Sequence, residues 1–174
     1  MPHRFVFNYV WQLPSPQRNA VLRHLLGGWQ TSGIWNWQSG FPLTISAGED
    51  NAFSGIGNDV ADLVSKPGYT SGSRGQRIAK WFTTESFQTN APGTFGNAGR
   101  NILIGPATFN VDFSLQNNIR FTERWRLQYR AEFFNVLNHP LLNNPGTTVT
   151  SSSFGRITSA GDPRIIQMGL KLYF

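Results

Sequence analysis

The stretch Phe109-Asn110-Val111-Asp112-Phe113-Ser114-Leu115-Gln116-Asn117-Asn118-Ile119-Arg120-Phe121 decides the fold. Phe109, Val111, Phe113, Leu115, Ile119 and Phe121 fall on one side of an extended chain. Asn110, Asp112, Ser114, Gln116, Asn118 and Arg120 fall on the other, and only Asn117 interrupts the apolar row. Successive side chains of a strand point to opposite faces, so this alternation predicts a strand with one apolar and one wet face.

Four further segments carry the same period. Phe5, Phe7, Tyr9, Trp11 and Leu13 oppose Arg4, Asn8 and Gln12; Trp29, Trp35, Trp37 and Phe41 oppose Gln30, Ser32, Asn36 and Gln38. Trp125, Leu127, Tyr129, Ala131 and Phe133 oppose Arg126, Gln128, Arg130 and Glu132. Ile166, Met168, Leu170, Leu172 and Phe174 oppose Gln167, Gly169, Lys171 and Tyr173. The expected architecture is all-β, an antiparallel meander of about five long strands. The strands are expected at about 3–13, 28–45, 108–121, 125–138 and 164–174. Their connections alternate in length. Thr122-Glu123-Arg124 is a tight turn, whereas 46–107 and 139–163 are long loops rich in Gly, Ser, Asn and Pro. The 14–28 connection is intermediate, with a short helix expected over Asn19–Leu26.

Composition narrows the class. Charged residues are 14% and aromatics 14%, with 18 Gly and 10 Pro. A disordered chain would be aromatic-poor and highly charged, and a helical bundle would be rich in Ala, Glu, Lys and Leu. The absence of Cys excludes disulfides, thiolate zinc sites and a thiol nucleophile. No run of about 18 apolar residues is present to form a membrane-spanning helix. The first residues lack the order of a signal peptide, so the expectation is a cytoplasmic protein or part of something longer. The formal charge of +6 is scattered rather than clustered, which argues against nucleic acid as a partner.

Period two is shared by soluble sandwiches and outer-membrane barrels. Three features favour the barrel. The strands reach the roughly 9–11 residues needed to span a bilayer. The apolar rows end in aromatic residues, as interfacial girdles do, and the polar faces carry sparse, mixed charge. The last residues point the same way. Gln167, Gly169, Leu172 and Phe174 occupy the specified positions of a pattern that resembles the signal read by the bacterial barrel assembly machinery. A side chain at Gly169 is expected to disturb the strand that must pair with the first strand of the barrel to close it.

The chain resembles the C-terminal barrel portion of a TonB-dependent outer-membrane receptor, of the Oar-like subgroup that carries a carboxypeptidase-regulatory-like domain upstream. The resemblance rests on Pro2-His3-Arg4-Phe5-Val6, Leu26-Gly27-Gly28-Trp29-Gln30 and Gln38-Ser39-Gly40-Phe41-Pro42. It continues through Gly93-Thr94-Phe95-Gly96-Asn97-Ala98-Gly99-Arg100-Asn101 and Arg130-Ala131-Glu132-Phe133-Phe134-Asn135. Asn138-His139-Pro140 and Phe154-Gly155-Arg156-Ile157 complete it. It implies an outer-membrane location and an incomplete segment, residues 1–174, of a barrel that in full receptors has about 22 strands. The implied partners are outer-membrane lipid, the assembly machinery and the remaining strands and plug of the parent. TonB would be reached only through a missing N-terminal region. No plug, TonB box or signal peptide is read here. Two other readings stay open: a soluble carbohydrate-binding module using Trp29, Trp35 and Trp37 or Trp81, and a small structural or porin-like barrel.

No catalytic constellation is expected. His3, His24 and His139 lack metal-type spacing, and Ser151-Ser152-Ser153 has no triad partners nearby. The glycines of 93–105 follow neither phosphate-loop order. Asp112, Arg130 and Glu132 are read as a lumen-facing ion network, because opposite charges across strands stabilise pairing. Trp81, Phe82 and Phe87 are the candidate loop contacts to a ligand; the alternative is a small hydrophobic staple within the loop. No cofactor and no metal are expected.

Overall fold

The computed structural model describes residues 3–15 and 27–174. The helix expected over Asn19–Leu26 lies outside them. The elements in chain order are β1 Arg4–Gln12, β2 Trp29–Gln38, β3 Pro42–Leu43, β4 Asp62–Leu63 and helix α1 Arg74–Ala79. They continue with a 3-10 turn Thr84–Ser86, β5 Phe87–Gln88, β6 Leu103–Ile104, β7 Thr108–Arg120, β8 Arg126–Phe134 and β9 Ile165–Tyr173. The chain divides into a strand unit (His3–Gln38, Thr108–Leu141, Asp162–Phe174) and a loop unit built from Ser39–Ala107 and Leu142–Gly161.

The strand unit is one antiparallel sheet of five strands, ordered β1-β2-β7-β8-β9. Its register turns the separate alternations into two continuous faces. Phe5, Trp37 and Phe109 stand side by side, as do Tyr9, Gly33, Phe113, Phe133 and Ile166. Ile119, Leu127 and Leu172 form another apolar row. One position over, Ser32, Ser114, Glu132 and Gln167 align, and so do Gln12, Gln30, Gln116, Arg130 and Gly169. Paired residues share a face, so in-register pairing is what gathers the apolar side chains of five strands onto one side. Gly33 is required within the apolar face, because a Cβ there would lie 2.6 Å from the Tyr9 ring.

Asn117, the interruption in the apolar row, is enclosed. It pairs with Trp29 on one side and Tyr129 on the other, whose rings meet edge to face at 6.2 Å. It is 1% exposed, and neither side-chain amide atom has a hydrogen-bond partner.

Strand ends differ from the alternation. β2 stops at Gln38 rather than continuing toward 45, and Pro42–Leu43 instead pairs with Leu103–Ile104. β8 stops at Phe134, before the expected 138. Asn135 and Asn138 both take positive φ, which leaves the strand region of backbone space. The Asn135 N–H donates to Asp112 Oδ1 at 2.9 Å, and its side-chain amide donates to the His139 carbonyl and accepts from the His139 N–H, each at 2.9 Å. The tight turn after β7 is closed by Phe121 N–H on the Trp125 carbonyl at 3.0 Å and by the Thr122 hydroxyl accepting from Trp125 N–H at 3.0 Å.

The two long connections fold together as the loop unit. Its core holds Leu43, Ile45, Ala61, Phe82, Phe87, Ala98 and Leu103, with Phe154 packed against it. Phe82, Phe87 and Phe154 form a three-way edge-to-face cluster with centroids 5.4–6.2 Å apart. Backbone bridges tie the segments: Ser46 pairs with both Val60 and Thr148, and Trp81 N–H donates to the Gly155 carbonyl at 2.7 Å. Buried Asp59 accepts from Ala52 N–H at 2.7 Å and Asn90 Nδ2 at 3.1 Å, so the polar interior is satisfied at this point.

Gly96 is the tightest position in the loop unit. A Cβ there would stand 1.7 Å from the Val60 carbonyl oxygen and 2.7 Å from that of Ala61. Gly96→Ala is therefore expected to open the loop unit, read as faster proteolysis within 46–107. Unchanged cleavage would mean that the backbone relaxes without cost.

Candidate functional site

The polar face of the sheet is hollowed. A concavity of about 550 Å³ is lined by Ser32, Asp112, Ser114, Gln116, Arg130 and Glu132 together with apolar side chains such as Val10 and Ile34. Arg130 and Glu132 are two apart on β8 and so share this face; Arg130 Nη1 lies 3.5 Å from Glu132 Oε1. Gln116 Nε2 donates to Gln30 Oε1 at 2.7 Å on the neighbouring strand. Asp112 is on the same face but is not part of that ion pair. Its Oδ1 accepts from Asn110 Nδ2 and from the Asn135 N–H, both at 2.9 Å, and so anchors the end of β8. The three residues read as one network are thus a pair and a separate anchor. An exposed pair of this kind contributes roughly 0–1 kcal/mol; its effect is on the charge pattern of the hollow rather than on stability.

The candidate loop aromatics separate by burial. Phe82 is fully buried and Phe87 nearly so, each inside the loop-unit core. This corrects their reading as ligand contacts: packing consumes both rings, as in the hydrophobic-staple alternative. Trp81 remains partly exposed. Its Nε1–H donates to the Ile104 carbonyl at 2.9 Å, and its ring meets Tyr69 edge to face at 6.4 Å. Tyr69, twelve positions earlier with no shared periodicity, carried no signal in the sequence that paired it with Trp81.

Two carboxylates outside the strands are held below the ordinary range. Backbone N–H donors of Ser54 and Gly55, at 2.9 and 2.8 Å, favour the charged form of Asp50. Glu85 is lowered first by its hydrogen bond from Lys80, with which it forms an ion pair.

Gln167 and Gly169 lie on the polar face of β9, and Leu172 lies on the apolar face. Phe174 follows the strand, 89% exposed, with its ring 5.7 Å from that of Trp125. A Cβ at Gly169 would meet nothing within 4 Å inside this chain, so the crowding expected there would come only from the strand that pairs with β9 to close the barrel. Of the histidines, His139 rests its ring edge-on to Phe109 at 6.4 Å, and His24 lies outside the described residues. Among the described residues no group of three His, Asp or Glu is placed to hold a metal, and no helix is long and apolar enough to cross a membrane.

The apolar face is the larger anomaly. Phe5, Phe7, Trp11, Trp35, Trp37, Met168, Leu170 and Leu172 are all exposed on it. Contiguous apolar surface of this extent marks a face built for lipid or another protein. Among known families, one described as outer membrane beta barrel domain matches residues 1–167. No curated protein and no solved structure matches the chain.

Proposed function

The chain belongs to the outer-membrane β-barrel domain family, and from that premise we propose that it supplies the last strands and extracellular loops of a TonB-dependent receptor that takes up a ligand across the outer membrane. Its place in the outer membrane gives the exposed apolar face its solvent, which is lipid. The soluble carbohydrate-binding alternative gives way, because Trp35 and Trp37 belong to that face. The observation that carries the receptor reading is the sheet itself. One face is predominantly apolar, the other is hollowed and mostly polar, and both long connections leave the same end of the strands, beyond Gln38/Thr108 and Phe134/Ile165. Outer-membrane barrels have short periplasmic turns and longer extracellular loops. On this reading the hollow faces the lumen, the 121–125 turn is periplasmic and the loop unit is extracellular.

An open sheet of five strands has two free edges, β1 and β9. Single-chain bacterial barrels begin at about eight strands, so closure takes further strands of the parent receptor. The plug, the barrel assembly machinery and TonB, reached through the N-terminal region of the parent, are the other partners of this proposal. Binding and transport fit the hollow better than catalysis does, since its polar side chains are amides, hydroxyls, one ion pair and an Asp112 carboxylate already engaged by Asn110 and Asn135.

The absence of native Cys makes the test clean. A membrane-impermeant maleimide applied to intact cells should label Ser71→Cys in the loop unit. It should label Glu123→Cys in the tight turn only after the outer membrane is permeabilised. Equal labelling of both in intact cells, or the reverse order, overturns the orientation. The receptor part of the proposal further requires a plug encoded upstream of Met1 in the same reading frame; a frame without one leaves the porin-like barrel.

A further inference from the structure

The loop unit holds a second hollow, of about 380 Å³, lined by Tyr69, Thr70, Arg77, Trp81, Ile104 and Gly105. Its two rings are fixed by a single residue. The Ile104 N–H donates to the Tyr69 hydroxyl oxygen at 2.8 Å, and the Ile104 carbonyl accepts from Trp81 Nε1–H at 2.9 Å. The rings meet edge to face with their planes 77° apart. With the Trp81 N–H committed to the backbone and the Tyr69 hydroxyl oxygen accepting from it, what the rings offer a visitor is π surface and the Tyr69 O–H donor. Tyr69 stays 54% exposed, although the loop unit has a core in which Phe82 is fully buried. Holding an exposed aromatic pair in one geometry lowers the ordering cost that stacking a ligand would otherwise carry.

Charge supplies the second half of the argument. Two cations bracket the end of α1. Lys80 is paired with Glu85. Arg77 lines the hollow and is exposed, and it makes no ion pair among the described residues. A guanidinium presents a planar fork of donors that matches a carboxylate. An aromatic corner with one unpaired arginine selects a ligand having a flat ring face and an acidic group.

We infer that this hollow binds a ring carboxylate, its ring stacked on the face of Trp81 or Tyr69 with its edge toward the other ring, and its acidic group on the Arg77 guanidinium. The chemistry is shared by an acidic sugar and an aryl carboxylate, and the probes separate them. The site deepens the proposed receptor function, since it gives the ligand class that an extracellular loop unit would meet. Cysteine labelling tests that placement separately, so correct labelling without binding overturns the site alone.

The experiment is calorimetric titration of the full chain in detergent micelles with trigalacturonate, 4-hydroxybenzoate and neutral maltotriose. At least one acidic probe is expected to bind about tenfold more tightly than maltotriose, and which one does so identifies the source. Arg77→Gln, at an exposed position, is expected to cost about tenfold in affinity for the acidic probe and to leave maltotriose unchanged. Trp81→Phe is expected to weaken both. The inference is overturned if neither acidic probe binds at concentrations up to about 10 mM, or if Arg77→Gln leaves the affinity of the acidic probe unchanged.

Discussion

Phe113→Arg and Leu170→Arg are each expected to reduce sharply the amount of folded protein in the outer membrane, whereas Ser114→Arg is expected to be tolerated. Phe113 is mid-strand on the apolar face, between Gly33 and Phe133 in register, with its ring 5.9 Å from that of Phe133. An arginine on the lipid face near the bilayer midplane costs about 2–4 kcal/mol, a large share of the 5–15 kcal/mol by which a typical domain is stable. Leu170 is the cleaner probe of lipid, because it is 69% exposed and loses little protein packing when replaced. Ser114 differs from Phe113 by one position and by face. It aligns with Ser32 and Glu132 on the hollowed side, where a new guanidinium has a carboxylate beside it. The measurement is the heat-modifiable folded fraction in isolated outer membranes. Equal loss from all three substitutions would show that both faces are packed against protein, which would sink the lipid-facing assignment.

Phe82→Ala is expected to unfold the loop unit while leaving the sheet paired. Phe82 is fully buried and touches Phe87 and Phe154 edge to face, so it joins the 39–107 segment to the 142–161 segment. Truncating a buried Phe to Ala costs about 3–5 kcal/mol through lost transfer energy and the cavity left behind. A core cluster of seven buried residues has little reserve against that loss. Limited proteolysis should then cut both connections, while fragments spanning β7 and β8 persist. Phe154→Ala should have a similar effect, and the double variant should lose less than the sum, because the two rings share one contact. A proteolytic pattern unchanged by Phe82→Ala would show that the backbone bridges, rather than the aromatic cluster, hold the unit.

These expectations rest on different kinds of information. The five strands and their two faces were legible in the amino-acid order. A strand half in lipid and half in water must alternate residue by residue, and that constraint is local. Hence the row from Phe109 to Phe121 could be read without knowing its neighbours, and its one irregularity, Asn117, was visible as such. What Asn117 sits between could not be read, because Trp29 and Tyr129 reach it only through register with two other strands. The ends of β2 and β8 were likewise invisible. The apolar run Phe133-Phe134 blurs the alternation at the end of β8, and a positive φ at Asn135, stabilised through Asp112 and His139, turns the chain away there. The loop unit belongs wholly to the tertiary structure. Its strands are two residues long, too short to show a period, and its core gathers residues from Leu43 to Phe154. Burial of Phe82 and Phe87 beside the exposed corner of Tyr69 and Trp81 was decided by which rings that core could enclose. Periodicity encodes a face the chain makes by itself, whereas a core assembled from distant segments exists only once they meet.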